Sequence, residues 1–120
     1  MSIVIVDHGL CNVGSARRAF EECGAAGVVV SEDPAALADA THIVLPGVGA
    51  FNAGMRELRA KGWESALRRA VTEEKIPILG ICLGMQLLAE RGLEGGETEG
   101  LGLVPGEVIR IDGALRMAPK

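Results

Sequence analysis

Chemistry in an unfamiliar chain is best sought where a nucleophile has room to be held under strain. Residues 80–84, Gly80-Ile81-Cys82-Leu83-Gly84, offer that room. A cysteine on a sharp strand-to-helix corner adopts a backbone conformation that only small neighbours permit, and Gly80 and Gly84 supply them. The corner has two further uses. The N–H groups at the start of the following helix favour a thiolate, and the N–H of Leu83 points where the oxygen of an attacked carbonyl would lie. A plain core cysteine is the alternative, since free Cys is often buried. Placement at the end of an apolar strand, where open α/β sheets bind ligands, favours the nucleophile. Pro46-Gly47-Val48-Gly49 closes the preceding strand, and its glycines let the backbone of Gly47, Val48 and Gly49 approach a ligand as further oxyanion donors. Alone, that run would read as an ordinary strand-to-helix turn.

A thiol hydrolase also needs a base, usually a histidine oriented by a carboxylate. The chain has two histidines, His8 and His42. His8 follows the first strand and falls at the carboxyl edge of the sheet, where a turn or interface role is expected before catalysis. His42 opens its strand, belongs at the opposite edge, and is read as structural.

The elements that must position these residues alternate along the chain. Apolar, β-branched runs at 2–6, 27–31, 42–47 and 76–81 read as strands. Helical spacing marks 13–23, 51–61 and 63–74, with Gly24 and Gly62 as stops, and a short helix is expected after Asp33-Pro34. Another helix is expected over 83–91. Strands that are apolar throughout, separated by helices, predict an α/β fold: a doubly wound, flavodoxin-like or Rossmann-like, mostly parallel sheet with helices on both faces. Beyond Gly92 the chain turns Gly-rich and acidic, with Glu94, Glu97 and Glu99 read as a solvated loop. "EVIRIDGALRM" then suggests a short antiparallel hairpin around Asp112-Gly113. Arg17, Arg18, Arg68 and Arg69 read as solvated helix faces.

Composition bounds the alternatives. At 120 residues the chain is a single domain (1–120), 48% hydrophobic and 23% charged, which argues against disorder. A net charge of −4, with one Trp, two Phe and no Tyr, argues against nucleic-acid binding. No apolar run is long enough to span a membrane, and the N-terminus does not read as a signal peptide. Cys11, Cys23 and Cys82 are odd in number and lack C-x-x-C spacing, so they read as free thiols in a cytoplasmic setting, and a metal site is not expected. Gly9 and Gly14 do not complete a dinucleotide fingerprint and no P-loop occurs, so no cofactor is expected.

"VDHGLCNVGS" (6–15), "PGVGAF" (46–51), "GICLGMQLL" (80–88) and "GLGLVPGEVIR" (100–110), in this order, resemble the class I glutamine amidotransferases, over essentially the whole chain. The resemblance implies that Cys82 attacks the side-chain amide of glutamine, forming a glutamyl thioester and releasing ammonia. It implies that Leu83 and Gly47, Val48 and Gly49 form the oxyanion hole, and that Gln86 and Gly84 bind substrate. Within the family the wording is similar to the branch that delivers ammonia to a (β/α)8-barrel cyclase, as a heterodimer forming imidazole glycerol phosphate in histidine biosynthesis. Gly9, Asn12 and Phe51 would then face that partner. A related branch serves surface-polysaccharide sugar synthesis, which His8 and Cys11 would suit. The family carries its His and Glu in a segment downstream of anything matched here. The chain is therefore expected to be an N-terminal, truncated part that holds the nucleophile half of the site and is inactive alone. The alternative is a non-catalytic, flavodoxin-like binding module.

Overall fold

The structure, a computed structural model, describes residues 1–111. Its elements run β1 (Ile3–Val6), α1 (Val13–Glu22), β2 (Val28–Ser31), a 3-10 helix (Pro34–Asp39), β3 (His42–Leu45), α2 (Phe51–Ala60), α3 (Trp63–Thr72), β4 (Ile78–Gly80), α4 (Leu83–Leu87), β5 (Ala89–Gly92), β6 (Thr98–Glu99) and β7 (Val104–Val108). Four strands form one sheet in the order β2-β1-β3-β4, every pair parallel. Strand alternation divides its side chains between two cores. Val4, Val6, Ile43 and Leu45 face α2, α3, α4 and the 3-10 helix, whereas Ile3, Ile5 and Val44 face Val13, Ala16 and Phe20 of α1. Helices thus cover both faces, and burial on both sides is why these strands are apolar along their whole length.

Local signals set the helix ends. Asn12 caps α1 by accepting from Ser15 N (3.2 Å), and Asp33 caps the 3-10 helix by accepting from Ala35 N (2.9 Å). Gly62, at φ 79°, turns the chain between α2 and α3. Trp63, at the start of α3, is fully buried in the larger core.

The helix expected over 83–91 is shorter than its sequence pattern. α4 ends at Leu87, and residues 89–92 form β5, the centre of a second sheet ordered β6-β5-β7. β5 runs antiparallel to β6 and parallel to β7. The cause lies in the carbonyls. Those of Leu87, Leu88, Ala89 and Glu90, which a longer helix would spend on the next turn, accept instead from Leu101, Leu103, Gly102 and Gly100 at 2.8–3.0 Å. Glu99, expected in a loop, lies in β6, and Glu97 pairs with Arg91 at 3.7 Å.

Two helix arginines hold this sheet in place. Arg68 donates to Leu101 O and Gly100 O, both at 2.9 Å, and Arg59 donates to Glu99 O at 2.7 Å. Arg68 is therefore a bridge between elements and not merely a solvated charge. The hairpin expected around Asp112-Gly113 lies outside the described residues. Among those residues, no helix is long and apolar enough to cross a membrane.

Candidate functional site

Parallel strands deliver their following loops to one edge, and three of those loops meet there: Asp7–Gly9 after β1, Pro46–Gly49 after β3, and Ile81-Cys82 after β4. The chain leaving β1 goes to the α1 face, while the chain leaving β3 goes to the opposite face. That divergence opens a crevice between adjacent strands, the usual ligand position of a doubly wound sheet.

Cys82 stands at this edge as the N-cap of α4, with φ 55° and ψ −122°. This is a conformation that L-residues rarely adopt, so the strained corner expected from the sequence is present. Its thiol-bearing side chain is exposed. Gly80 and Gly84 are required by their surroundings. A Cβ on Gly80 would come within 2.7 Å of Met85 N, and one on Gly84 would run into the Leu45 carbonyl. A cleft of about 300 Å³ adjoins Cys82, lined by Asn12, Ser15, Ala16 and Ala19 of the α1 side and by Pro46, Gly47, Val48 and Ile81. The small side chains of α1 leave this space.

The expected oxyanion donors are close to the corner but engaged. Leu83 N–H donates to Gly47 O at 3.1 Å, and Val48 N–H donates to Leu10 O at 2.8 Å. Gly47 itself is tightly packed, since a Cβ there would lie 3.0 Å from Gly84 N. Gly49 takes φ 107° in open space. Gly84 is buried beneath the end of β3, packed against the Leu45 and Pro46 backbone. Gln86 does not line the Cys82 cleft. It borders a separate cavity of about 390 Å³ with Glu94, Val108, Ile109, Arg110 and Ile111.

Phe51, expected at a partner surface, is 1% exposed. Its ring packs under the second sheet, where a Cβ on Gly92 would come within 2.5 Å of it, so it is a core residue. Gly9, at φ 98°, is exposed, as is Asn12.

Neither histidine is placed to serve as base. His42 is exposed at the amino edge of β3, bonded through Nδ1 to Thr41 Oγ1 (2.9 Å). His8 is fully buried, with Nε2 2.8 Å from Pro46 O and Nδ1 3.4 Å from Leu10 N. A carbonyl can only accept and an amide N–H can only donate, so both ring nitrogens are engaged, as a neutral Nε2–H tautomer. Sequence reasoning expected a turn or interface role for His8 but missed its bond to Pro46, and it missed the cap made by Asn12. The second was legible, because Asn directly before a helical pattern is a preferred N-cap.

The other thiols differ in setting. Burial pushes the Cys11 thiol up from its ordinary value, with backbone hydrogen bonds around His8 and Gly9 opposing and the Asp7 charge adding to the rise. Cys23 is exposed at the C-cap of α1. Among the described residues, no cluster of His, Cys, Asp or Glu is gathered that could hold a metal ion.

Residues 4–107 match the family Glutamine amidotransferase class-I. The chain is similar to the imidazole glycerol phosphate synthase subunit HisH of Symbiobacterium thermophilum, 50% identical over 113 residues, covering 94% of this chain and 52% of that protein. It is also similar to imidazole glycerol phosphate synthase subunit HisH 1 of Campylobacter jejuni, 44% identical over 115 residues, covering 96% and 57%. A solved structure described as a glutamine amidotransferase superposes with a TM-score of 0.74 at 23% identity, over 89% of this chain and 56% of that one, and so shares its fold. The chain spans about half the length of the curated relatives it matches.

Proposed function

The chain belongs to the class-I glutamine amidotransferase family, and from that premise we propose that it carries the nucleophile half of a glutamine-hydrolysing site. The Cys82 thiolate attacks the side-chain carbonyl carbon of glutamine. The tetrahedral oxyanion collapses to a glutamyl thioester as the C–N bond breaks and the amide nitrogen leaves as ammonia, taking the proton that the base removed from the thiol. Water then cleaves the thioester to glutamate and the thiol. One observation carries the reading: an exposed thiol held at φ 55° on a strand-to-helix corner, between two glycines that cannot be replaced. Leu83 N–H is the nearest oxyanion donor, and it becomes available when its bond to Gly47 O opens. Gly49 supplies a freely turning peptide beside it.

With both nitrogens of His8 engaged and His42 at the far edge, the base and its carboxylate come from outside the described residues. The ammonia passes to a further synthase subunit, a reading supported by relatives named as subunits of imidazole glycerol phosphate synthase; the family resemblance implies that this partner is a (β/α)8-barrel cyclase. Gly9 and Asn12, both exposed, are the residues proposed to face that partner. Those relatives favour this branch over one serving polysaccharide sugars. The engaged histidines favour a second reading for the 120-residue polypeptide by itself, a binding module without turnover.

The test is labelling with a glutamine-mimicking electrophile, followed by peptide mapping. Cys82, which borders a glutamine-sized cleft, is expected to react ahead of Cys23, which is also exposed, and ahead of Cys11, whose thiol burial pushes up. Equal labelling of all three would overturn the assignment. Ammonia release by the chain alone is expected to match that of a Cys82→Ala control.

A further inference from the structure

Among the described residues, His8 is the one polar side chain that is fully buried, and the chemistry above gives it no task. We propose that His8 is a positioning residue that pins the Pro46–Val48 segment and so keeps the Leu83 N–H engaged by Gly47. The inference rests on the reading of Leu83 as oxyanion donor. Its geometry is independent of that reading.

The segment is held at two points by the turn that follows β1. At one, His8 Nε2–H donates to Pro46 O (2.8 Å). At the other, Leu10 O accepts from Val48 N–H (2.8 Å), and Leu10 is itself tied to the imidazole by its own N–H on Nδ1 (3.4 Å). Between those points lies Gly47, whose carbonyl is thereby aimed at Leu83 N, 3.1 Å away. The turn is fixed in its own right. Lys61 Nζ reaches across from the end of α2 to donate to His8 O (2.8 Å) while pairing with Glu57 (3.1 Å).

Pro46 and Gly47 are buried, and packing restrains that end of the segment, whereas its far end is freer. Val48 is 57% exposed, so moving it sacrifices little burial, and Gly49 beside it tolerates rotation in open space. The imidazole therefore adds to packing at Gly47 and to the Val48–Leu10 bond in keeping the Gly47 carbonyl on the Leu83 amide. It is not a catalytic residue, because both of its ring nitrogens are bonded to backbone groups.

Residue-resolved amide hydrogen exchange tests this in the 120-residue chain and in His8→Gln, His8→Asn and His8→Phe. The Gln amide nitrogen reaches about as far as Nε2 and keeps the bond to Pro46. The Asn oxygen sits near Nδ1 and keeps only the bond from Leu10, and Phe keeps ring volume with neither bond. Exchange at Leu83 is read against the sheet amides Ile3, which donates to Gly27 O, and Ile43, which donates to Pro77 O. His8→Phe and His8→Asn are expected to speed Leu83 exchange by roughly two- to tenfold relative to those references, the range set by loss of one hydrogen bond. His8→Gln is expected to remain within about twofold of the parent, on the same scale.

An unchanged Leu83, a rise shared equally by Ile3 and Ile43, or a Gln variant no better protected than Asn would each overturn the proposal. If His8→Phe fails to fold, the Gln and Asn variants decide by the same criterion. Exchange reads no glutamine chemistry. Equal labelling of the three cysteines would therefore remove the functional reading and leave the pin standing, and the exchange result would do the reverse.

Discussion

At the scale of single residues, the corner at Cys82 stores strain in the folded state. A non-glycine residue at φ 55°, ψ −122° costs about 1–3 kcal/mol, and glycine relieves it at an entropic cost of about 0.5–1 kcal/mol. Cys82→Gly is therefore expected to stabilise the chain by about 1 kcal/mol, read as a higher urea midpoint at unchanged slope. Cys82→Ala, which keeps the strained backbone, should leave the midpoint nearly where it was. A Cys82→Gly variant less stable than Cys82→Ala would show that the corner is not strained. This corner was legible in the sequence because all its parts are local: a nucleophile, two flanking glycines and a strand-to-helix change of pattern. His8 was not legible in the same way. Its partner Pro46 lies 38 residues away, and no spacing rule links a histidine to a distant carbonyl. The surface position expected for Phe51 failed for a related reason, since family motifs name residues without saying which core each will face.

At the scale of elements, the alternation of apolar strands with helices was sufficient to anticipate four parallel strands and helices on both faces. The boundary it could not anticipate is the end of α4. Residues 83–91 have helical periodicity, and what ends the helix is competition from amides ten or more positions downstream for its carbonyls. Gly100 is central to that competition. It donates to Glu90 O at 2.8 Å, and a Cβ there would strike the Ala89 carbonyl and come within 2.9 Å of the Phe51 ring. Gly100→Ala is expected to destabilise the chain by about 2 kcal/mol or more, with exchange quickening first at Leu101 and Gly102. Arg68→Met should act in the same direction by about 1–2 kcal/mol, since it strands two carbonyls that Arg68 now satisfies. A midpoint unchanged by either substitution would mean that the second sheet is held by β5–β7 pairing alone.

At the scale of the whole molecule, the sheet is uneven in its protection. Among the described residues no strand pairs with the outer edge of β4, and Leu79 on it is 51% exposed. Beside it runs an apolar groove of about 210 Å³ lined by Ile3, Phe20, Val44, Pro77 and Leu79. Open strand edges with apolar side chains recruit further strands. The 120-residue chain is therefore expected to self-associate at high concentration, in sedimentation velocity, and Leu79→Lys to reduce that association at unchanged far-UV spectrum. Equal association by both proteins would locate the contact elsewhere.

The chain also carries its own optical reporter. It has one Trp and no Tyr, and Trp63 is fully buried among α2, α3 and the sheet. Indole emission from this protein is thus a single-site signal, blue-shifted while that core is dry. It registers loss of the α3 face directly and is blind to fraying of α1 from Ile3, Ile5 and Val44 on the far side of the sheet. An emission-detected transition that falls later than one detected by circular dichroism would separate the two faces of the fold without any added label.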